Sequence, residues 1–578
     1  MQKGPVFSTG LRGLSTAGGG SGLAPAGFVR TWPYECRPDR TVAAQHLKRE
    51  PRSGIVPPRV SWAIFKSTSV VGAMTLVSRM LALVRDVEFA RVFGAGAGMD
   101  VFLVAQMIPN LGRRMFAEGA FSQAFVPIFT ATKTTGTPEE ARDLVAVVMG
   151  TLGGVLSLVT VAGCLAAPLL LTLFASGFAS DPAKSELGAD LLRWTFPYLM
   201  FISLTSLAGS VLNAYGRFAV PAFTPVILNL CLIASMFIDA SSVRVLAYAV
   251  FVAGVLQFAF QLPSLMRIRM LTRPRWGWRD PRVRRLVSLM VPVLIGSSVA
   301  QISLLLNTNF STHLGEGPVS WLYYSNRLME FPLGIFSIAV GTATLPTLAA
   351  LYATRATEQF SATIDWSLRM IALIGVPAAA GLILLAGPMV ATIFGRGDFG
   401  PDDVRMTTYA LWAYGLAFFG ASLVKVLLPG FYARHEMKQS VRIGIVALVV
   451  GLAFSIGLLT LHHFKPLPAP HVILAASTSI TACLNAALLL RRLRRDGAYA
   501  PSSGWGVFAL RIAGGTALMT ALVLTFAGPL SDWLALDTWH RCLRLAALIL
   551  AALGVYFGAL FALGLRYRHL ASHPPAAG

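Results

Sequence analysis

Charge is what this sequence has least of. Only 13% of its 578 residues are Asp, Glu, Lys or Arg, about half the ~25% share of a soluble domain. Acids are scarcer still, 26 against 48 basic residues. No polar stretch long enough for a soluble domain separates the apolar runs. Cysteine is also sparse: Cys36, Cys164, Cys231, Cys483 and Cys542 form no CxxC pair, which argues against a zinc site or a disulfide scaffold. GxxxxGK[ST], HExxH and GxSxG are missing, so nothing marks the chain as an ATPase, a zinc protease or a serine hydrolase. No metal and no cofactor is expected. The histidines lie mostly near loops or tails, with His462 and His463 at the end of an apolar run, and carry no assigned chemistry.

What the chain does have is apolar length. Hydrophobic residues make up 55% and the mean hydropathy is +0.65. A membrane span needs about 20 mostly apolar residues. Fourteen such runs fall at approximately 64–91, 99–131, 142–174, 189–214, 219–239, 244–267, 284–312, 317–350, 362–388, 404–428, 440–461, 470–490, 507–527 and 541–565. The expected fold is therefore an all-α integral membrane protein of about 14 transmembrane helices. The net charge of +22 would suggest nucleic acid in a soluble protein. Here it sits mainly in loops and tails, where topology accounts for it, and no nucleic-acid partner is expected. Residues 1–60 are rich in Gly, Pro, Ala, Ser and Arg without an apolar run of signal-peptide length. They read as a disordered leader, an organellar transit peptide, or translation assigned too far upstream.

Basic residues set the orientation. Arg267, Arg269, Arg273, Arg275, Arg279, Arg282, Arg284 and Arg285 follow the sixth run; Arg434, Lys438 and Arg442 follow the tenth; Arg491, Arg492, Arg494 and Arg495 follow the twelfth; Arg566 and Arg568 lie in the tail. Loops of the other parity hold one or two, such as Lys184, Arg244 or Lys465. Both termini are expected on the cytoplasmic side.

The chain also repeats itself. Pro168, Phe174 and Gly177 recur 220 residues later as Pro388, Phe394 and Gly397. Gly96, Gly98, Phe102 and Pro127 recur 219 residues later as Gly315, Gly317, Trp321 and Pro346. Tyr215 and Arg217 recur as Tyr432 and Arg434, an offset of 217. Six runs separate the copies, so they point the same way. Two parallel six-helix bundles related by an axis along the membrane normal are a transporter architecture. The expected organisation is a leader at 1–60, an N-terminal lobe at 61–269, a C-terminal lobe at 270–495, and two further helices with a tail at 496–578.

Charges inside the runs carry the functional signal. The first run contains Arg79, Arg85 and Asp86; the second Asp100, Arg113, Arg114 and Glu118; the eighth Arg327 and Glu330. An arginine at mid-membrane costs about 2.5–3.5 kcal/mol on insertion scales, so these residues must face one another or water. At a rise of about 1.5 Å per residue, Arg79 and Arg113 lie roughly 20 Å, and Arg327 roughly 15 Å, from the ends of their helices. All three then reach the middle third of a core about 30 Å thick. Structural roles compete. Arg114–Glu118 and Arg327–Glu330 fit salt bridges within one helix, and that reading is preferred for Arg114. Arg85 and Asp86 are adjacent, expected to point apart and to pair across helices. A cluster of Arg79, Arg113 and Arg327 would bind an anion, because guanidinium grips phosphate in a bidentate way and stays charged at any working pH.

Several segments sharpen this. Ser78, Arg79, Arg85 and Asp86; Phe93-Gly94-Ala95-Gly96; Asp100; Pro109-Asn110-Leu111; and Arg113-Arg114 followed by Phe116-Ala117-Glu118-Gly119-Ala120-Phe121-Ser122 and Pro127 closely resemble the MurJ (MviN) family. Its members are lipid II flippases of the multidrug/oligosaccharidyl-lipid/polysaccharide exporter superfamily. Phe196-Pro197-Tyr198, Gln301-Ile302-Ser303, Tyr323-Tyr324, Arg327, Glu330 and Pro429-Gly430-Phe431-Tyr432 extend the resemblance over 62–570. It implies a V-shaped two-lobe fold, alternating access, and a groove for lipid tails formed by the last two helices with the second lobe. It puts the cavity arginines at Arg79, Arg85, Arg113 and Arg327 and an important outer acid at Asp100. Asp86, Glu118 and Glu330 are the further cavity or gating acids. The implied ligand is undecaprenyl-pyrophosphate-linked disaccharide–pentapeptide, moved to the periplasmic leaflet of the bacterial inner membrane. The expected protein is a monomer among membrane lipids, beside the cell-wall synthesis machinery. Some relatives hold sodium in the second lobe; 437–495 and the seventh run contain no acid here, so no carboxylate-based site is expected there.

Three other readings remain open. An exporter of drugs or of another lipid-linked saccharide would share the fold. A membrane-embedded glycosyltransferase would need an acidic metal cluster at a membrane face, for which Asp402-Asp403 is the candidate pair. A non-transporting cell-wall scaffold would leave the arginines dispensable.

Overall fold

A computed structural model describes residues 58–114, 121–334 and 338–565. Twenty α-helices and no strand occur among them. The first repeat holds α1 (Pro58–Phe93), α2 (Ala97–Gly112), α3 (Phe121–Thr135), α4 (Pro138–Leu165), α5 (Ala167–Phe174), α6 (Pro182–Thr195), α7 (Tyr198–Ala214), α8 (Ala219–Ile238) and α9 (Arg244–Arg267). The second holds α10 (Pro281–Ser311), α11 (Pro318–Pro332), α12 (Ile338–Ala353), α13 (Thr357–Leu384), α14 (Ala386–Ile393), α15 (Pro401–Ala433), α16 (Met437–Phe464) and α17 (His471–Arg495). α18 (Trp505–Ala527), α19 (Leu530–Ala535) and α20 (Thr538–Ala562) follow.

The internal repeat is visible helix by helix. α4 and α13 are both 28 residues long and begin 219 residues apart; α5 and α14 are both 8 residues long at the same offset. The copies diverge next. α15 runs unbroken for 33 residues, whereas its counterpart is split into α6 and α7 at Phe196-Pro197. Proline has no N–H to give the helix and its ring crowds the preceding turn.

Helix starts follow from short signals. Thr137 caps α4 in a reciprocal box with Glu140, with Pro138 in the first turn. Asp181-Pro182 and Asp280-Pro281 open α6 and α10 in the same manner. An oxygen acceptor satisfies N–H groups that lack intrahelical partners, and proline needs none at that position.

Ten helices among the described residues are long and apolar enough to cross a membrane, against the expectation of about fourteen spans. The difference falls on the runs at 64–91, 99–131, 284–312 and 317–350. These form α1, the pair α2 and α3, α10, and the pair α11 and α12, and three of the four carry the charges noted above. Large apolar side chains face outward, such as Ile238 (81% exposed) and Leu165 (79%), while Asp86, Asp100, Gln257 and Gln261 are buried. A polar interior under an apolar exterior suits lipid as solvent. The chain is a multi-pass membrane protein.

At one end the two halves touch through short contacts. Gly94 (φ +57°) closes α1 so tightly that a Cβ would lie 2.6 Å from the Asp398 carbonyl oxygen, and Asp398 N donates to the Arg91 carbonyl at 3.0 Å. Gly177 N donates to Thr312 Oγ1 at 3.1 Å, and Lys184 pairs with Glu316 at 3.1 Å. Basic-loop parity leads to the expectation that this is the outer end.

Candidate functional site

α1 and α11 bring the charged residues together. Arg85 is 5% exposed and Asp86 1%. Arg85 turns back on its neighbour, donating Nη2 and Nε to Asp86 Oδ1 at 2.6 and 3.0 Å. This corrects the expectation that adjacent side chains point apart: the long guanidinium stem folds over one residue. Both also pair across helices. Arg85 Nη1 donates to Asn229 Oδ1 at 3.0 Å and its Nη2 to Tyr323 Oη at 3.2 Å. Tyr323 donates to Asp86 Oδ1 at 2.9 Å.

Arg327 completes the group from α11. Its Nη2 donates to Tyr323 Oη at 3.2 Å, and its Nε lies 3.2 Å from Asp86 Oδ2. The Nε contact is an ion pair without hydrogen-bond alignment. Glu330 is more distant, 3.6 Å from Arg327 Nη1, and accepts from Asn326 at 3.1 Å. The guanidinium sits 5.0 Å from the Tyr323 ring centre.

Arg79, Asp86, Arg327, Glu330 and Lys425 line one cavity of about 400 Å³. Arg79 packs flat on Gly334, where a Cβ would overlap its Nη1. Counting Arg85, four cations face two carboxylates. A second cavity of about 360 Å³ shares Arg327 and Glu330 and is lined by Gln106, Asn110, Gln301, Asn307 and Thr478 among others. One end of the site is thus cationic and the other rich in carboxamides.

The sequence-derived candidates divide as follows. Arg79 and Arg327 share the cationic cavity. Arg85 does not line it and is buried behind Asp86. Arg113 lines neither cavity and donates Nε to Asn110 Oδ1 at 2.6 Å, whereas its neighbour Arg114 lines the second. Glu118 lies outside the described residues. Lys425 escaped sequence reasoning because it is a lone lysine near the end of the apolar run of α15; its signal was a cation within the run without an acid three or four residues away. Tyr323 carried no charge signal at all. No cluster that could hold a metal occurs among the described residues.

Asp100 is elsewhere. On the first turn of α2 and 1% exposed, it accepts from Gly317 N at 2.7 Å, Ser320 N at 2.8 Å and Ser320 Oγ at 2.6 Å. An acid of one repeat therefore caps the start of α11 in the other. Gly317 permits this through φ +96°, a conformation side chains disfavour. Buried polar contacts and helix-end attraction together hold α2 to α11.

The model of the family described as lipid II flippase MurJ matches residues 89–538. The chain belongs to the MurJ family. The Vibrio cholerae serotype O1 protein named "Probable lipid II flippase MurJ" is 42% identical over 522 residues, covering 88% of this chain and 98% of that one. The Burkholderia cenocepacia lipid II flippase MurJ is 39% identical over 516 residues, with 88% and 98% covered. A solved lipid II flippase MurJ in an inward closed conformation has a TM-score of 0.69 at 22% identity, covering 85% of this chain and 99% of its own. A solved MATE multidrug transporter of the MOP superfamily, inward-facing, has 0.56 at 15%, with 74% and 97% covered. At those identities the two structures speak for the fold, which MurJ proteins share with other exporters.

Proposed function

We propose that this MurJ family member flips lipid II, undecaprenyl-pyrophosphate-linked disaccharide–pentapeptide, from the cytoplasmic to the periplasmic leaflet of the bacterial inner membrane. It is a transporter, not an enzyme. The observation that carries the reading is the cavity shared by Arg79 and Arg327, with Lys425 beside them. One arginine comes from each repeat, and the cations exceed the acids. A diphosphate supplies the missing negative charge and offers oxygens to both guanidinium forks. On arrival it competes with Asp86 and Glu330 for Arg327. The carboxamide-lined space beside it suits a polar saccharide–peptide headgroup. Hydrophobic cations, the substrates of many drug exporters, would be repelled by the cationic wall.

Alternating access follows from the placement of the two groups. Asp100 fastens the outer end of α11 to α2, and Arg327 lies on α11 facing Arg79 on α1. Releasing the Asp100 cap lets α11 swing away, opening the cavity outward while the diphosphate stays between the two arginines. With both termini and the basic loops in the cytoplasm, the membrane potential supplies energy: about 2.3 kcal/mol per charge per 100 mV. An anion moving outward runs with that field, and an empty cationic cavity returning inward does so too. The protein works as a monomer beside the cell-wall synthesis machinery, with 61–269 and 270–495 as lobes. Depletion of the protein with leaflet-resolved measurement of lipid II tests the reading. Accumulation in the cytoplasmic leaflet is expected; unchanged distribution would refute it.

A further inference from the structure

Asp365, on α13, ties the chain after α17 back onto the second repeat. It accepts from Tyr499 Oη at 2.9 Å, Trp505 Nε1 at 2.7 Å, Ser502 through Oγ and N, and Arg369 Nε at 2.9 Å. Five donors saturate this carboxylate. Arg369 uses Nη2 on Ser502 Oγ (2.7 Å) and the Ser503 carbonyl (3.0 Å) and lies over the Trp505 and Phe508 rings. Its Nη1 has no acceptor among the described residues.

Arg369 lines a separate cavity of about 200 Å³, and Arg511 of α18 lines it too. Among the described residues no carboxylate comes within ion-pair distance, 4.0 Å, of Arg511. The rest of the wall is apolar: Trp366, Met370, Val507, Phe508 and Leu565. Val507 and Leu510 on α18 are 56% and 74% exposed, so the cavity opens beside a surface made for lipid. It adjoins the segment after Arg491, Arg492, Arg494 and Arg495, and residues 566–578 contain Arg566 and Arg568 and no acid. Two guanidiniums thus face one small space with donors to spare, at the membrane face where basic loops gather. Arg511 could instead serve the C-terminal end of α20, whose Gly564 approaches it; that role leaves Arg369 Nη1 and the cavity unexplained.

We infer that this cavity binds the phosphate of an anionic phospholipid, held between Arg369 and Arg511 with the glycerol and chain tops against Met370, Val507 and Leu565. The shared chemistry is a phosphate oxyanion; the apolar wall beside lipid-facing residues selects a lipid over a free ion. Such a lipid wedges α13 to α18 and α20. The inference is separate from flipping, and its test needs no translocation.

The full chain, purified and delipidated, is offered phosphatidylglycerol, phosphatidylcholine or inorganic phosphate, with retained lipid counted by native mass spectrometry and melting followed in parallel. The expected result is a preference for phosphatidylglycerol over phosphatidylcholine of about tenfold, because the choline cation is repelled by the two guanidiniums while the phosphate is common to both lipids, lost in Arg511→Gln without change in lipid-free melting. Val507→Trp, which fills the space and leaves both arginines, should abolish retention too. Equal retention by wild type and Arg511→Gln, or undiminished retention by Val507→Trp, would overturn the site. Protection by inorganic phosphate matching that of phosphatidylglycerol would overturn the lipid assignment.

Discussion

Tyr323 concentrates three polar contacts on one hydroxyl, accepting from Arg85 and Arg327 and donating to Asp86. Tyr323→Phe therefore leaves a buried carboxylate short of a donor and two guanidiniums short of an acceptor. A loss of about 1–3 kcal/mol of stability is expected, read as a lowered melting temperature; unchanged melting would mean the hydroxyl is not a structural hub. Gly334→Ala separates folding from function. The added methyl meets only the flexible end of Arg79, so the guanidinium should swing aside, melting should hold, and lipid II flipping should fall severalfold. At this scale the sequence was informative where charge broke an apolar run, as at Arg79, Asp86 and Arg327. It was silent where the partner was a neutral hydroxyl or amide, as at Tyr323 and Asn229, because those residues are ordinary inside helices. Between Arg113 and Arg114 depth alone does not decide which faces a cavity, since one residue turns a helix by about 100°.

Among elements, the proposed gate is the contact of α2 with the start of α11. Asp100→Asn keeps the size but places an amide N–H₂ against the N–H of Gly317 or Ser320, and removes the charge that attracts the helix end. One lost charge-assisted bond favours the separated arrangement by about tenfold. In a cysteine-free background carrying Gln106→Cys, labelling from the outer face should accelerate by about that factor; an unchanged rate would remove Asp100 from the gate. A second element-scale device joins α4, the segment before α10, and α10 itself. Asp143 pairs with Arg275 and Arg282, and Asp280 pairs with Arg282 at 2.7 Å. The hydrogen bond from Arg282 holds the Asp280 carboxyl below the usual carboxylate range, against the opposing effect of partial burial. Its contribution is therefore complete above the unfolded value, about 3.9, and is lost as pH falls through the lower folded value. Hydrogen exchange in 274–284, corrected for intrinsic rate, should stay protected at pH 5 and lose protection toward pH 3, with Asp280→Asn unprotected throughout. Protection unaltered by that substitution would show that the other bonds suffice. The 219-residue offset between corresponding helices was legible in the sequence. The break between α6 and α7 was not foreseen, although Pro197 stood in view, because α8, α9 and α13 carry prolines without ending.

For the whole molecule, apolar run length gave the fold class. Ten helices pass on length and composition among the described residues, and the expected intervals outside them include those that place Arg79, Asp100, Arg327 and Glu330 inside the protein. The central claim is that Arg79 and Arg327, one from each repeat, hold a diphosphate between them. The direct measurement is leaflet-resolved lipid II translocation in cells whose only copy carries Arg79→Ala with Arg327→Ala, at membrane abundance matched to wild type. The account predicts normal insertion with lipid II accumulating in the cytoplasmic leaflet, and impairment by Arg327→Lys as well, because lysine keeps the charge and loses the planar fork. Full translocation by the double variant would contradict it.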